Sequence, residues 1–346
     1  MNNDKEPSFL RLRVHPWGLL TAVGILACSA TVFGFLGRFS WFLDLFSHFR
    51  VQYLLGLIVL ALVFLAAHRR RTATVFIAFA TINLGTILPL YFGRQAALPE
   101  ATHTFRAMLL NVNTHLGDVE RIKQVIQGLD PDILVLEEIS SQWVLDLQWL
   151  ANSHPHSRVQ PRDDNFGIGL FSRLPLEECE IVYIGDANVP SIVATVDTGL
   201  RKLGVIATHP LPPIGAEYSH WRNDHLERLP HYVPSSLPFI LLGDLNVTPW
   251  NYHFRRLLQR TRLIDSSKGR GIQPTWPNFN PLLLIPIDHC LHSSDVSVVN
   301  KRIGRDVGSD HFPVIVDFVI RTERENDGPT NASTHTTEPA PVGGSS

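Results

Sequence analysis

Hydrophobic and polar positions divide the 346-residue chain into two textures that meet near residue 93. Ahead of that point, three runs (17–37, 51–67 and 72–93) contain no Asp, Glu, Lys or Arg. Each is close to the roughly 20 apolar residues needed to cross a hydrocarbon layer of about 30 Å. A cleaved signal peptide would show one apolar run of about 7–15 residues. The helices of a buried soluble bundle would keep a polar face. The pattern therefore predicts three transmembrane helices within residues 17–93. Their flanks set an orientation. Lys5, Arg11 and Arg13 precede the first run, and Arg69, Arg70 and Arg71 fill the turn between the second and third. The other connection carries only Arg38 and Arg50, offset by Asp44. By the positive-inside rule the N-terminus (1–16) is expected in the cytoplasm and everything after residue 93 on the outer side of the cell membrane.

From about residue 105 to 321 the pattern becomes short apolar runs separated by polar or Pro-rich turns. Strands are expected at 107–112, 133–137, 167–171, 192–196, 202–208, 239–242, 287–291 and 313–320. Helices are expected at 119–128, with Asp118 as N-cap, and at 252–262, where Phe254, Leu257 and Leu258 recur at helical spacing. This alternation predicts one α/β domain over 101–321. The Pro/Gly/Ser/Thr-rich tail, 322–346, has no apolar period and reads as disordered. It contains a glycosylation-type triplet at Asn331.

Composition sharpens this division. Only 18% of the chain is charged and its formal net charge is −2. The deficit lies in the first texture, while in 101–321 acidic residues slightly outnumber basic ones. Nucleic-acid binding through bulk positive charge gains no support. Three cysteines exclude a disulfide-dense scaffold, and no Cys/His cluster has zinc spacing. Cys179 and Cys290 are the only pair outside the apolar segment.

Polar residues gather where apolar strands end. The run Pro238-Phe-Ile-Leu-Leu-Gly-Asp244-Leu-Asn246 closes a strand with a carboxylate and an amide. Strand alternation would set these two on one face, where Asp244 can orient or deprotonate water and Asn246 can hold an anionic oxygen. Read alone, the run also fits an Asx turn. Ser309-Asp310-His311 opens the last strand with a ligand-type carboxylate beside a cationic or polarising ring. Glu137 and Glu138 end another strand facing opposite ways, so that one enters a cleft and the other is solvated. A hard cation such as Mg²⁺ favours such isolated carboxylates. Asn111 and Asn113 share a face at a fourth strand end, and His209 follows a fifth. Five polar strand ends together define an active site, as strand ends do in α/β sheets.

In order and spacing, these signatures resemble the endonuclease/exonuclease/phosphatase superfamily, which includes DNase I-like nucleases, abasic-site endonucleases, neutral sphingomyelinases and inositol-polyphosphate 5-phosphatases. The likeness covers about 105–320 and is carried by Asn111, the DILVLEE strand, GIGLFSR, His209, GDLN, the IDH at Asp288 and SDH. The stretches RDDNFGIGLFSRLPL, THPLPP, PTWP and IPIDH look most like a bacterial membrane-attached branch. The resemblance implies an α/β (α+β) four-layer sandwich, two mixed β-sheets flanked by helices. It implies hydrolysis of phosphodiester or phosphomonoester bonds with Mg²⁺, or Mn²⁺. Carried over by position, Asn111, Glu138 and Asp310 would hold metal. Asp244 would activate water, Asn246 would bind the scissile phosphate, and His311, oriented by Asp288, would stabilise phosphoryl charge. His209 would contact phosphate or assist the leaving group. Asn113 stands where abasic-site endonucleases have Asp and is left out of that set. Two basic clusters, Arg255-Arg256-Arg260-Arg262 and Lys301-Arg302-Arg305, read as solvated faces.

The expected protein is thus a membrane-anchored metal-dependent phosphoesterase. Its partners would be a phosphate-ester substrate (lipid, small molecule or nucleic acid) and, through three helices, the lipid bilayer. A nuclease and a non-catalytic binding module of the same fold are the alternatives. A transporter is not, because the apolar runs carry no Asp, Glu, Lys or Arg to line a path.

Overall fold

The computed structural model describes residues 15–93 and 103–321. The predicted tail, Asn331, Lys5, Arg11 and Arg13 lie outside them. The apolar segment forms α1 (Pro16–Phe33), the short α2 (Trp41–Leu45), α3 (Arg50–Ala66) and α4 (Arg70–Ile87), which continues as a 3₁₀ turn over Leu88–Tyr91. Among the described residues, two helices, Pro16–Phe33 and Arg70–Tyr91, are long and apolar enough to cross a membrane. The expectation of three such helices is corrected here. The middle run forms a 17-residue helix, about 26 Å at 1.5 Å per residue. It ends at Ala66 because His68 adopts the left-handed conformation, φ 58°. Arg50, assigned to a connection by sequence, is the first residue of α3 and is 1% exposed. Its Nη1 donates to the Thr31 carbonyl at 2.8 Å and to Asn83 Oδ1 at 3.3 Å. The three helices thus share a polar knot, while Leu19, Leu26, Leu55, Val59 and Leu62 point outward.

The rest of the chain alternates strands with helices. In order these are β1 (Phe105–Asn111), α5 (Val119–Leu129), β2 (Ile133–Glu137), α6 (Ser141–Asp146), β3 (His156–Gln160), β4 (Ile168–Ser172) and β5 (Leu176–Tyr183). There follow β6 (Pro190–Asp197), β7 (Lys202–Thr208), α7 (Gly215–Arg228), β8 (Phe239–Asp244), α8 (Tyr252–Thr261), β9 (Ile264–Asp265), β10 (Asp288–His292), β11 (Val296–Ile303) and β12 (Val314–Ile320). They build two six-stranded sheets, ordered β11-β12-β1-β2-β4-β3 and β5-β6-β7-β8-β10-β9. Both are mixed, with parallel pairs β1/β2 and β7/β8.

Alternation along the central strands explains the layers. Ala107, Leu109, Ile133 and Val135 pack inward against Val205, Ala207, Ile240 and Leu242 of the other sheet. Their neighbours Met108, Leu110, Leu134 and Leu136 face outward and bury Ile122, Ile126 and Trp143 from α5 and α6. On the opposite side Ile206 and Leu241 bury Leu226 of α7 and Phe254 and Leu257 of α8. Successive residues of a strand point to opposite faces, so covering both faces requires the unbroken apolar runs seen here. All eight predicted strands are interior strands. The four edge strands, β3, β5, β9 and β11, were not predicted, because edges carry polar residues that interrupt such runs. Asp118 caps α5, its side chain accepting from Glu120 N and Arg121 N. Helices α6 and α7 were also missed; Gly215–Arg228 has no clear apolar period. Cys28, Cys179 and Cys290 are all free.

Candidate functional site

The carboxyl ends of both parallel pairs meet at one end of the sandwich. β1 and β2 deliver Asn111 and Glu137-Glu138, and β7 and β8 deliver His209 and Asp244. Asp288, the first residue of β10, lies directly opposite Asp244 in the antiparallel register. Asp310 and His311 enter just before β12. Glu138, His209, Asp244, Asn246, Asp310 and His311 all line one cavity of about 610 Å³.

Close approach of the sheets begins beneath this cavity. Glu137, predicted to be one of an opposed pair with one member solvated, is fully buried instead. Its carboxylate accepts the Asp244 backbone N–H at 3.1 and 3.2 Å, joining the two sheets. Next to it, Gly243 lets β8 approach the end of β7, since a Cβ there would lie 1.9 Å from the Thr208 carbonyl oxygen. Glu138 turns into the cleft through a left-handed backbone, φ 60°. Asn111 stands behind it, fully buried, donating from Nδ2 to Glu138 Oε1 at 2.9 Å. Asn113, left out of the predicted set, lines the cavity and donates to Asp310 Oδ1 at 2.8 Å. It leaves the strand at φ 54°, so the shared strand face expected for Asn111 and Asn113 does not form. The same holds for Asp244 and Asn246. β8 ends at Asp244, and Asn246 at φ 52° reaches the cavity from a turn in which its N–H donates to Asp244 Oδ1 at 2.8 Å.

His311 Nδ1 lies 3.0 Å from Asp288 Oδ2, and its Nε2 is 3.8 Å from Asp244 Oδ2. Burial works against charge on this ring, but Asp288 and then Asp244 outweigh it and raise its pKa to about 10. Asp288 responds in the opposite sense. Burial pushes it up, yet the charge and hydrogen bond of His311 bring it below its ordinary value. Asp244 is raised well above the usual carboxylate range, first by burial and then by the Asp288 charge. Glu138 is raised by burial, partly offset by the Asn111 hydrogen bond. Glu137 is pushed up by burial and by Asp244. His209 Nε2 is 3.6 Å from Asp244 Oδ2, and burial lowers this ring to about 3, leaving it neutral.

A group of crowded carboxylates whose pKa values are raised calls for a cation. Asp244, Asp288 and His311 offer ligand atoms within 4.8 Å of one another. However, the His311–Asp288 hydrogen bond already occupies one face of that trio. Glu138 and Asp310 bring further hard oxygen donors to the same cavity, which suits a hard divalent ion better than a soft one. The donor set fits the predicted Mg²⁺ or Mn²⁺.

Sequence reading missed one wall entirely. Leu45, His48 and Phe49, from the segment between α1 and α3, line the cavity. Asp44 of α2 is 1% exposed and pairs with Arg222 of α7, itself fully buried, at 2.6 Å. Arg222 Nη1 then donates to the Asn246 carbonyl at 3.2 Å. Asn251, the cap of α8, donates to Asp44 Oδ1 at 2.7 Å. The helical segment is therefore bonded to the turn that carries Asn246. A lone Asp inside an apolar stretch was the available signal. Both basic clusters are largely spent on neighbours. Arg256 and Arg260 pair with Glu227, Arg302 pairs with Asp317, and Lys301 is buried against Ser267 Oγ.

The Endonuclease/Exonuclease/phosphatase family profile matches residues 108–311. The chain belongs to that family, whose members are hydrolases acting on phosphoester bonds. Among solved structures it is similar to an endonuclease/exonuclease/phosphatase from Beutenbergia cavernae, at 21% identity and TM-score 0.52, covering 63% of this chain and 72% of that one. D. rerio TDP2, complexed with single strand DNA product, aligns at 18% identity and TM-score 0.53 over 62% of this chain and 98% of that one. The human Nocturnin catalytic domain with bound sulfate anion aligns at 16% and 0.52, covering 64% and 96%. At these identities the likeness is one of fold. No curated protein matched the chain.

Proposed function

We propose that the chain is a membrane-anchored, divalent-metal-dependent phosphoesterase that attacks phosphorus in line with an activated water. The observation that carries this reading is the convergence, in one cavity, of Asp244, the His311–Asp288 pair, His209 and Asn246 with Glu138 and Asp310. A divalent cation would be held by Glu138 and Asp310, with Asn111 beside Glu138, and would offset negative charge on the phosphoryl oxygens. Asp244 accepts a proton from the attacking water, and the Asp244 N–H bonded to Glu137 fixes the backbone that carries it. His311, charged and oriented through Nδ1 by Asp288, points Nε2 at developing negative charge. Asn246 supplies an uncharged donor for the phosphate, and neutral His209 can donate a hydrogen bond to an ester oxygen. Phosphoryl transfer needs such positioning and charge stabilisation more than covalent chemistry.

The anchor follows from the helices. We infer that α1 and α4 cross a bilayer, with the shorter α3 returning the chain between them. The sandwich packs at the end of the bundle that holds residues 34–49, and Arg69, Arg70 and Arg71 lie at the other end. With that triple-Arg turn in the cytoplasm, the catalytic sandwich lies on the extracytoplasmic side. Alkaline-phosphatase fusions after residue 321 are expected to be active, and inactive fusions would reverse the orientation.

The full chain in detergent should hydrolyse bis-p-nitrophenyl phosphate with Mg²⁺ or Mn²⁺, and lose that activity with EDTA or on Asp244→Asn. Equal turnover by Asp244→Asn would sink this assignment, and no turnover by the folded chain with any divalent ion would favour a non-catalytic binding module.

A further inference from the structure

We propose that the ester hydrolysed here belongs to a membrane phospholipid, whose phosphate enters the cavity from the bilayer across an apolar lip. This rests on the phosphoesterase reading above and adds the substrate class.

The cavity separates into zones. The groups assigned to chemistry gather at the strand ends, Leu45, Phe49, Ile214, Ile285 and Ile287 form an apolar wall on one side, and the exposed Asp164 and Asn165 line another part. At about 610 Å³ it has far more room than one phosphate requires. Leu45 ends α2 and Phe49 immediately precedes α3, so this wall is carried by the segment that leads into the helices.

A loop extends that wall. Trp276 and Ile285 pair through backbone bonds of 3.1 and 2.6 Å and close the loop between them. Both line the cavity, and Trp276 Nε1 donates to Asp310 Oδ2 at 2.8 Å. The loop tip exposes Phe279 by 73% and Leu282 by 80%, with Leu283 beside them. Gln52 of α3 holds the loop by donating to the Leu284 carbonyl at 3.0 Å. Ile214, from the segment before α7, is 74% exposed. Large apolar side chains held out together mark a surface that meets another apolar phase. Here Ile214 and both ends of the loop that carries Phe279 and Leu282 line a hydrolytic site tied to helices able to cross a membrane.

Charge argues against a polynucleotide at the same place. Among the described residues, no Lys or Arg lines the cavity. A polynucleotide tracks across several phosphates and needs cations along its path. A phospholipid presents one phosphate and two acyl chains, which suits a polar floor with an apolar wall. In the reaction, the water oxygen bonds to phosphorus as one ester P–O bond breaks. Asp244 takes one water proton, and a proton is returned to the leaving alkoxide. Phospholipid and water thus yield an alcohol and a phosphate monoester.

The test uses the full chain in mixed micelles of phosphatidylglycerol and phosphatidylethanolamine, with bis-p-nitrophenyl phosphate and a single-stranded oligonucleotide run in parallel. Phospholipid is expected to be hydrolysed with the highest kcat/KM. Replacing the lip by Phe279→Ser/Leu282→Ser/Leu283→Ser, or separately Ile214→Ser, should lower the lipid-to-soluble-ester ratio at least about tenfold. Hydrolysis of the soluble ester without phospholipid turnover would overturn this inference and leave the phosphoesterase reading standing. So would a preference for the oligonucleotide, or a ratio unmoved by both lip variants. A folded chain that hydrolyses none of the three with any divalent ion would overturn both.

Discussion

In the helical segment, Arg50 is 1% exposed, and its guanidinium is shared among the Thr31 carbonyl, Asn83 Oδ1 and the face of Phe35 at 4.1 Å. In the sandwich, Asp244 and Asp288 are each 2% exposed and lie against Glu137 and Glu138, with His311 as their charged neighbour. Both regions bury polar groups, but one surrounds its cation with neutral oxygens and an aromatic face, and the other crowds like charges. The Asp44–Arg222 pair is likewise partnered, although it joins the two regions. The difference separates purposes. Partnered polar burial holds elements together, whereas crowded carboxylates, of which Asp244, Glu137 and Glu138 are raised, form a centre poised for a cation and a proton transfer.

That contrast can be broken by substitution. Asp244→Asn should lower kcat by about 10²- to 10⁴-fold, the usual worth of a positioned general base. It should not lower Tm, since it removes one of several repelling carboxylates; a fall in both would erase the distinction. Asp44→Ala should behave in the opposite way. It leaves Arg222 buried without its carboxylate, a loss of about 3–5 kcal/mol that denaturant unfolding in detergent would register. Activity should fall with it, because Arg222 also holds the Asn246 carbonyl.

A smaller effect is expected from pH. Burial lowers His209 to about 3 and His225 and His289 to about 4, so all three are neutral in the folded chain. Below their ordinary value of 6.5 the unfolded chain takes up protons that the folded chain refuses. The contribution of these three rings is therefore full above pH 6.5 and falls as pH drops toward 4, by about 1.4 kcal/mol per pH unit for each ring. Thermal unfolding at pH 7.5, 6 and 5 measures this, and a flat Tm would contradict the burial of neutral rings. The smallest change is expected at the surface. Arg256→Ala breaks an exposed pair with Glu227 and should cost under about 1 kcal/mol.

How much was legible follows the same physics. The interior strands announced themselves because both their faces are covered, and the polar residues at their ends stood out against apolar runs. Glu138, Asp244, His209, Asp310 and His311 were found in this way, and the cavity brings them together. The edge strands were hidden by their polar residues. Left-handed turns at Asn113, Glu138 and Asn246 were also unreadable, so alternation misjudged which neighbours share a face. Glu137 was read as a possible solvated partner because spacing alone does not register a second sheet closing over it.

The chain by itself determined the division into an apolar helical segment and an α/β sandwich, since hydrophobic periodicity reports what each residue must bury. It also determined which side chains end the central strands. Only the tertiary structure decided that residues 34–49 form a wall of the cavity, and that Asp44 reaches Arg222 across 178 positions. It also decided that the loop between Trp276 and Ile285 stands beside α3. Those contacts join residues far apart in sequence, and their favourable energy exists only once both partners are held in place by the sheets and helices around them.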